Sequence, residues 1–139
     1  MLVLDTNLVS ELMRPGPDPR VLGWIATQPL HEMAIATITL MEVRFGIATL
    51  PHGQRRTELD RRFRQFLAQG FSDRVLPFDS AAADACADIR AARKSMGRPI
   101  AIEDGMIAAV AKTHGATVAT RDTSGFEGCG IPLLNPWQG

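Results

Sequence analysis

Four carboxylates stand where a chain of alternating strands and helices would present them to a ligand: Asp5, Glu42, Asp104 and Asp122. Asp5 directly follows the apolar run Leu2-Val3-Leu4, and Asp122 follows Thr117-Val118-Ala119 by a few residues, within Thr120-Arg121-Asp122. Glu42 and Asp104 fall in the first turn of the helices expected after a second strand and after Pro99. Ligands of an open parallel sheet bind beyond the carboxyl ends of its strands, so all four acids can reach one edge. Gathered there without cations they would repel one another, raise their pKa values and destabilise the fold. No Lys lies beside Asp5, Glu42 or Asp104 in sequence. Oxygen-only donors of this kind suit magnesium or manganese, and the absence of paired His or Cys argues against zinc. The chemistry such a site supports is phosphodiester hydrolysis: two ions roughly 4 Å apart activate a water and stabilise the leaving oxygen, while a carboxylate accepts the water's proton. Thr6 and Thr120, beside Asp5 and Asp122, are candidates for orienting a ligand or a water.

Each residue also has a plainer reading. Thr39-Leu40-Met41-Glu42 fits a capping box, Asp104 could simply favour the positive end of its helix, and Asp122 could cap the turn ahead of Ser124-Gly125. Thr6 and Thr120 could be ordinary turn and strand-end hydroxyls. Asp5 is the hardest to dismiss, because a carboxylate at the end of an apolar strand needs a partner to satisfy it.

The elements that must position these groups are legible in the apolar pattern. Leu2 to Leu4 reads as a strand, and Asn7 can cap a helix carrying Leu8, Val9, Leu12 and Met13, which Pro15-Gly16-Pro17 ends. Pro19 can open a second helix through Val21, Leu22, Trp24 and Ile25. Met33 to Ala36 reads as a buried strand, followed by a helix from about Leu40 to Leu50. Leu59, Phe63, Phe66 and Leu67 recur at helical spacing between Gln54 and Ala68, ringed by Arg55, Arg56, Arg61, Arg62 and Arg64. Val75-Leu76 is a short strand, Ser80 can cap an alanine-rich helix to Met96, and Gly97-Arg98-Pro99 interrupts. A helix through Met106, Ile107 and Val110 closes at Lys112, His114 and Gly115. A strand at Thr117 to Ala119, a Gly-containing loop through Phe126 and a short strand at Ile131 to Leu134 complete the pattern. Strands alternating with helices predict an α/β fold, a parallel sheet flanked by helices on both faces.

Bulk composition bounds the rest. A chain of 139 residues, 45% hydrophobic, suffices for one core, so residues 1–139 read as one domain. Fifteen basic residues balance fifteen acidic ones, which leaves any nucleic-acid partner to local patches or to metal ions. Cys86 and Cys129 form no C-x-x-C pair, and the start lacks the regions of a signal peptide. No apolar run approaches membrane-spanning length, and a reducing cytoplasm is the expected setting.

Leu4-Asp5-Thr6-Asn7, Glu42 within Thr39-Leu40-Met41-Glu42, Gly97-Arg98-Pro99-Ile100 with Asp104-Gly105-Met106-Ile107-Ala108-Ala109, Ala119-Thr120-Arg121-Asp122 ahead of Phe126, and Asn135-Pro136-Trp137 run nearly end to end. In order and spacing they resemble the PIN domain, and within it the VapC and FitB-like toxins of type II toxin–antitoxin modules. The resemblance implies a PIN-domain-like fold and a metal-dependent endoribonuclease. It implies magnesium or manganese at Asp5, Glu42, Asp104 and Asp122, RNA as substrate, a homodimer, and silencing by a cognate antitoxin, with a higher-order assembly in prospect. None of the four acidic positions departs from the family pattern.

Two other functions compete. An aspartyl-nucleophile phosphatase also places an Asp after its first strand, but the second acid expected two residues on is Asn7 here, and no phosphate-cradling Gly-rich loop is present. A non-catalytic module of the same fold would use the acidic cleft to dock a basic partner segment. The arginine-rich helix could hold RNA phosphates, although a solvated face explains it more simply. Trp24, Phe45 and Leu50 could form an apolar groove for an antitoxin or a dimer contact, although such residues are usually core. His31, His52 and His114 lack the spacing of a metal site. Glu103 reads as a surface acid, and Asp79 as a helix-start residue.

Overall fold

A computed structural model describes residues 1–138. Five parallel strands form one sheet in the order β3-β2-β1-β4-β5, where β1 is Leu2–Leu4, β2 Met33–Ala36, β3 Val75–Leu76, β4 Thr117–Ala119 and β5 Leu133–Leu134. Leu2 pairs with Met33 on one side and Thr117 on the other, so β1 is the central strand. The helices α1 (Thr6–Leu12), α2 (Pro19–Ala26), α3 (Thr37–Ala48), α4 (Gln54–Phe66), α5 (Ser80–Ser95), α6 (Ile102–Thr113) and α7 (Thr123–Phe126) connect and cover the strands. Among the described residues, no helix is long and apolar enough to cross a membrane.

Alternation along the strands divides the core in two. Val3, Ala36 and Val118 join a cluster with Cys86, Ile89, Ile107 and Phe126, brought by α5, α6 and α7. Leu4, Ile35 and Ala119 point the other way, into a cluster with Leu8, Val21, Ile47, Phe63 and Trp137. A strand's side chains alternate between faces, so neighbouring residues of each strand anchor opposite helical layers. The expected sheet with helices on both faces is the observed architecture.

Several local expectations are corrected. Asp5, not Asn7, caps α1: its carboxylate accepts from the Leu8 amide at 2.9 Å. Helix α3 begins at Thr37, three residues earlier than the sequence suggests, because Thr37 carries on directly from β2. Thr39 is therefore inside the helix and Glu42 stands beyond the first turn, so no capping box forms there. Asp79, as a helix-start residue, caps α5 in place of Ser80 and accepts from the Ala82 amide at 3.0 Å. The basic helix α4 ends at Phe66 and passes into a π-helical turn, Leu67–Phe71. The loop expected through Phe126 contains the short helix α7. Phe45 is 66% exposed, against the expectation that it is core.

Candidate active site

The strand order reverses between β1 and β4, since the chain leaves β1 toward β2 and β3 and later returns to the opposite side. Such a reversal opens a crevice at the carboxyl ends of the two strands, the usual ligand position of this architecture. Asp5 and Thr120 are the first residues past those ends. The Asp5 amide donates to Ala119 O at 3.1 Å, and the Thr120 amide to Leu134 O at 2.9 Å, which continues the ladder one step into the crevice.

Both side chains are buried and face each other: the Thr120 hydroxyl donates to Asp5 Oδ2 at 2.6 Å. With Leu8 N on Oδ1, each Asp5 oxygen has one fixed donor. Thr120 Oγ1 also accepts from the Asp122 amide at 3.0 Å, so one hydroxyl connects two of the acids. Asp122 caps α7, and its Oδ1 accepts from Ser124 Oγ at 3.0 Å and from Gly125 N at 3.1 Å. On the other side of the crevice, Thr6 donates to Glu42 Oε1 at 2.6 Å and lies 3.1 Å from the Thr39 hydroxyl. Asp104 sits in the first turn of α6, as expected. Thr6 and Thr120 are thus partners of two acids, beyond the plain turn and strand-end reading.

The four acids lie within reach of one another's charge. Burial pushes the Asp5 carboxyl from 3.8 up to about 6, with Asp104 and Asp122 adding to the rise and the Thr120 and Leu8 hydrogen bonds opposing it. Asp104 is also raised, first by burial and then by Glu42, Asp122 and Glu103, while Arg93 opposes. Among the described residues no Lys or Arg forms an ion pair with any of the four. Mutual repulsion with no ion pair to offset it is what a cation would relieve.

The donor set tests the fit of such a cation. It is made of oxygen alone, which matches magnesium and manganese. Among the described residues, no three His, Cys, Asp or Glu side chains are gathered closely enough to hold one ion unaided. The acids therefore form an open edge, and an ion seated there would complete its shell with water or phosphate oxygens, as magnesium commonly does.

The model of the PIN domain matches residues 2–128. This chain belongs to the PIN domain family. It is 46% identical over 138 residues to the VapC ribonuclease Y4jK of Sinorhizobium fredii, covering 99% of each chain. It is 42% identical over 138 residues to Toxin FitB of Neisseria gonorrhoeae, again covering 99% of each. The crystal structure of FitAcB from Neisseria gonorrhoeae superposes with a TM-score of 0.93 at 42% identity, covering 100% of both chains.

In this PIN domain the remaining candidates separate clearly. Two of the α4 arginines are engaged with their own helix, Arg61 with Glu58 at 2.7 Å and Arg64 with Asp60 at 2.9 Å, as on a solvated face, while Arg62 donates to Met13 O at 3.1 Å and Arg56 lies against His52. Leu50 lines a groove of about 540 Å³ between α1, α3 and α4 that opens beside Glu42, whereas Trp24 packs half-buried against the second core cluster. His114 ends α6, with Nδ1 3.0 Å from Val110 O. Glu103 is half-buried and contributes to the rise at Asp104. Sequence reasoning missed Arg93, a buried cation on α5. Its signal was present: Ala82, Cys86 and Ile89 trace a helical apolar stripe whose next position is 93, and an Arg there requires internal partners.

Proposed function

We propose that this PIN domain is a magnesium- or manganese-dependent endoribonuclease, the toxin of a toxin–antitoxin pair. The observation that carries the reading is that Asp5, Glu42, Asp104 and Asp122 lie within reach of one another's charge around the switch point, with the Asp5 and Asp104 carboxyls raised and no ion pair to any of the four among the described residues. The relatives named VapC ribonuclease and Toxin FitB support RNA as the substrate and toxicity as the role.

The four carboxylates would share the ions between them, with water or phosphate oxygens completing each shell. Bound divalent ions supply Lewis acidity toward the scissile phosphate and toward the attacking water. Thr120 fixes the orientation of Asp5, and Thr6 does the same for Glu42, so both acids are held before substrate arrives. Asp122 is exposed at the rim, where incoming RNA would meet it, while Asp5 is buried at the floor. One of the carboxylates would take the proton of the attacking water.

A cognate antitoxin would silence the enzyme by covering the groove beside Glu42 and directing a basic side chain onto the acids. Met41 and Phe45, one turn apart on α3 and both exposed, are apolar surface that a homodimer or such an assembly would cover. The competing reading, a non-catalytic module, differs in one respect: it requires no metal-dependent cutting. The test is cleavage of end-labelled structured RNAs with magnesium, with manganese and with chelator, by the wild type, Asp5→Asn and Asp104→Asn. Metal-dependent cutting lost in both variants supports the nuclease. A folded wild type that cuts none of a broad RNA panel in either metal favours the binding module.

A further inference from the structure

Arg93 is 4% exposed, forms no ion pair among the described residues, and gives its close hydrogen bonds to backbone carbonyls, with Cys129 Sγ 3.9 Å from Nη1. Its Nη1 donates to Gly125 O at 2.7 Å and to Glu127 O at 2.9 Å, both around the α7 turn. Its Nε donates to Arg98 O at 2.6 Å. Arg98 in turn reaches the same turn, with Nη2 3.1 Å from Ser124 O and Nη1 3.3 Å from Glu127 Oε2.

The two arginines are set by one helix end. Arg98 N donates to Arg93 O at 3.0 Å and Gly97 N to Lys94 O at 3.0 Å, the paired bonds of a Schellman cap, with Gly97 at φ +71°. The Gly97-Arg98-Pro99 interruption therefore orients a clamp. The clamp takes the turn's carbonyls, at Ser124, Gly125 and Glu127, while the turn's Gly125 amide and Ser124 hydroxyl face Asp122 Oδ1. A Cβ on Gly125 would overlap Asp122 Oδ2, so the carboxylate lies flat against this turn.

We propose that Arg93 is a positioning residue: by gripping the carbonyl side of the α7 turn it aims the donor side at Asp122 and so fixes that carboxylate for cation binding. This rests on the reading above that Asp122 helps hold a divalent ion. Groups that orient metal-binding side chains without touching the metal typically change affinity 10- to 100-fold when removed. A buried guanidinium with a fixed fork of donors suits the role, and Lys can reproduce it only in part.

The experiment measures Mn²⁺ affinity of the purified protein by electron paramagnetic resonance, for wild type, Arg93→Met, Arg93→Lys, Asp122→Asn and the Arg93→Met/Asp122→Asn double variant. Folding is checked by circular dichroism. Arg93→Met should weaken binding about tenfold, Arg93→Lys should restore part of it, and the double variant should bind as Asp122→Asn does. If Arg93→Met does not fold, Arg98→Met, at a half-exposed side chain, carries the test with a loss of a few-fold. Folded arginine variants that bind like wild type overturn the inference alone, as do losses that multiply in the double variant. A wild type that binds no Mn²⁺ overturns the metal reading itself, and this inference with it.

Discussion

Asp5→Asn should stabilise the metal-free protein while abolishing its activity. The Asp5 carboxyl is pushed from 3.8 up to about 6, chiefly by burial. Because the folded state holds the proton more tightly than the unfolded chain, ionisation of Asp5 works against folding. The penalty is absent well below pH 4, grows between about pH 4 and 6, and is complete above that. A rise from 3.8 to about 6 corresponds to about 3 kcal/mol. Asparagine removes the charge and keeps an oxygen for the Leu8 amide, but the Thr120 hydroxyl loses its acceptor and must turn to receive the new amide, at a cost of about 1 kcal/mol. The net gain is about 2 kcal/mol. For 139 residues the unfolding entropy is roughly 0.3 kcal/mol per degree, so Tm should rise by about 7 °C. The assay is thermal unfolding in chelator across pH 4 to 8, with the variant's advantage shrinking as pH falls. An Asp5→Asn protein that melts at or below wild type at pH 7.5 in chelator would refute the reasoning, as would an advantage that persists unchanged at pH 4.

Three further outcomes follow from the same geometry. Gly125→Ala places a methyl against Asp122 Oδ2, so cleavage should fall about tenfold at subsaturating metal and recover in part at high Mn²⁺; an unchanged metal dependence would contradict the contact. Thr120→Val removes the donor to Asp5 and the acceptor of the Asp122 amide, and should lower stability by about 1–3 kcal/mol in urea unfolding; no change would show that neither bond matters. Protons compete with cations for Asp5 and Asp104, both raised by burial first, so Mn²⁺ affinity should weaken as pH falls through about 6, and a titration flat from pH 7 to 5 would count against their role as ligands.

The fold was largely legible because its signals are local and periodic. Leu2-Val3-Leu4 and Met33 to Ala36 are apolar on both faces, as strands of a covered parallel sheet must be, and the four acids follow from where such strands end. Helix starts were less legible, since capping depends on backbone geometry more than on residue type: both Asp5 and Asn7 are good caps, and only the strand end decides for Asp5. Glu42 was found for its chemistry and misplaced in its helix, because β2 runs into α3 without a break residue. The Thr6–Glu42 and Thr120–Asp5 bonds join residues 36 and 115 positions apart, a separation no local pattern encodes. The burial of Arg93 is legible in the α5 stripe, but its role is not, because its close partners are carbonyls, which carry no residue signature.

The most direct test of the central claim is anomalous diffraction from crystals of the wild type and of Asp104→Asn soaked in Mn²⁺. A peak is expected in the wild type at the crevice between β1 and β4, within about 2.5 Å of carboxylate oxygens from at least two of Asp5, Glu42, Asp104 and Asp122, weakened or lost in the variant. Ordered crystals with no peak at that crevice, or with manganese only elsewhere on the surface, would contradict it.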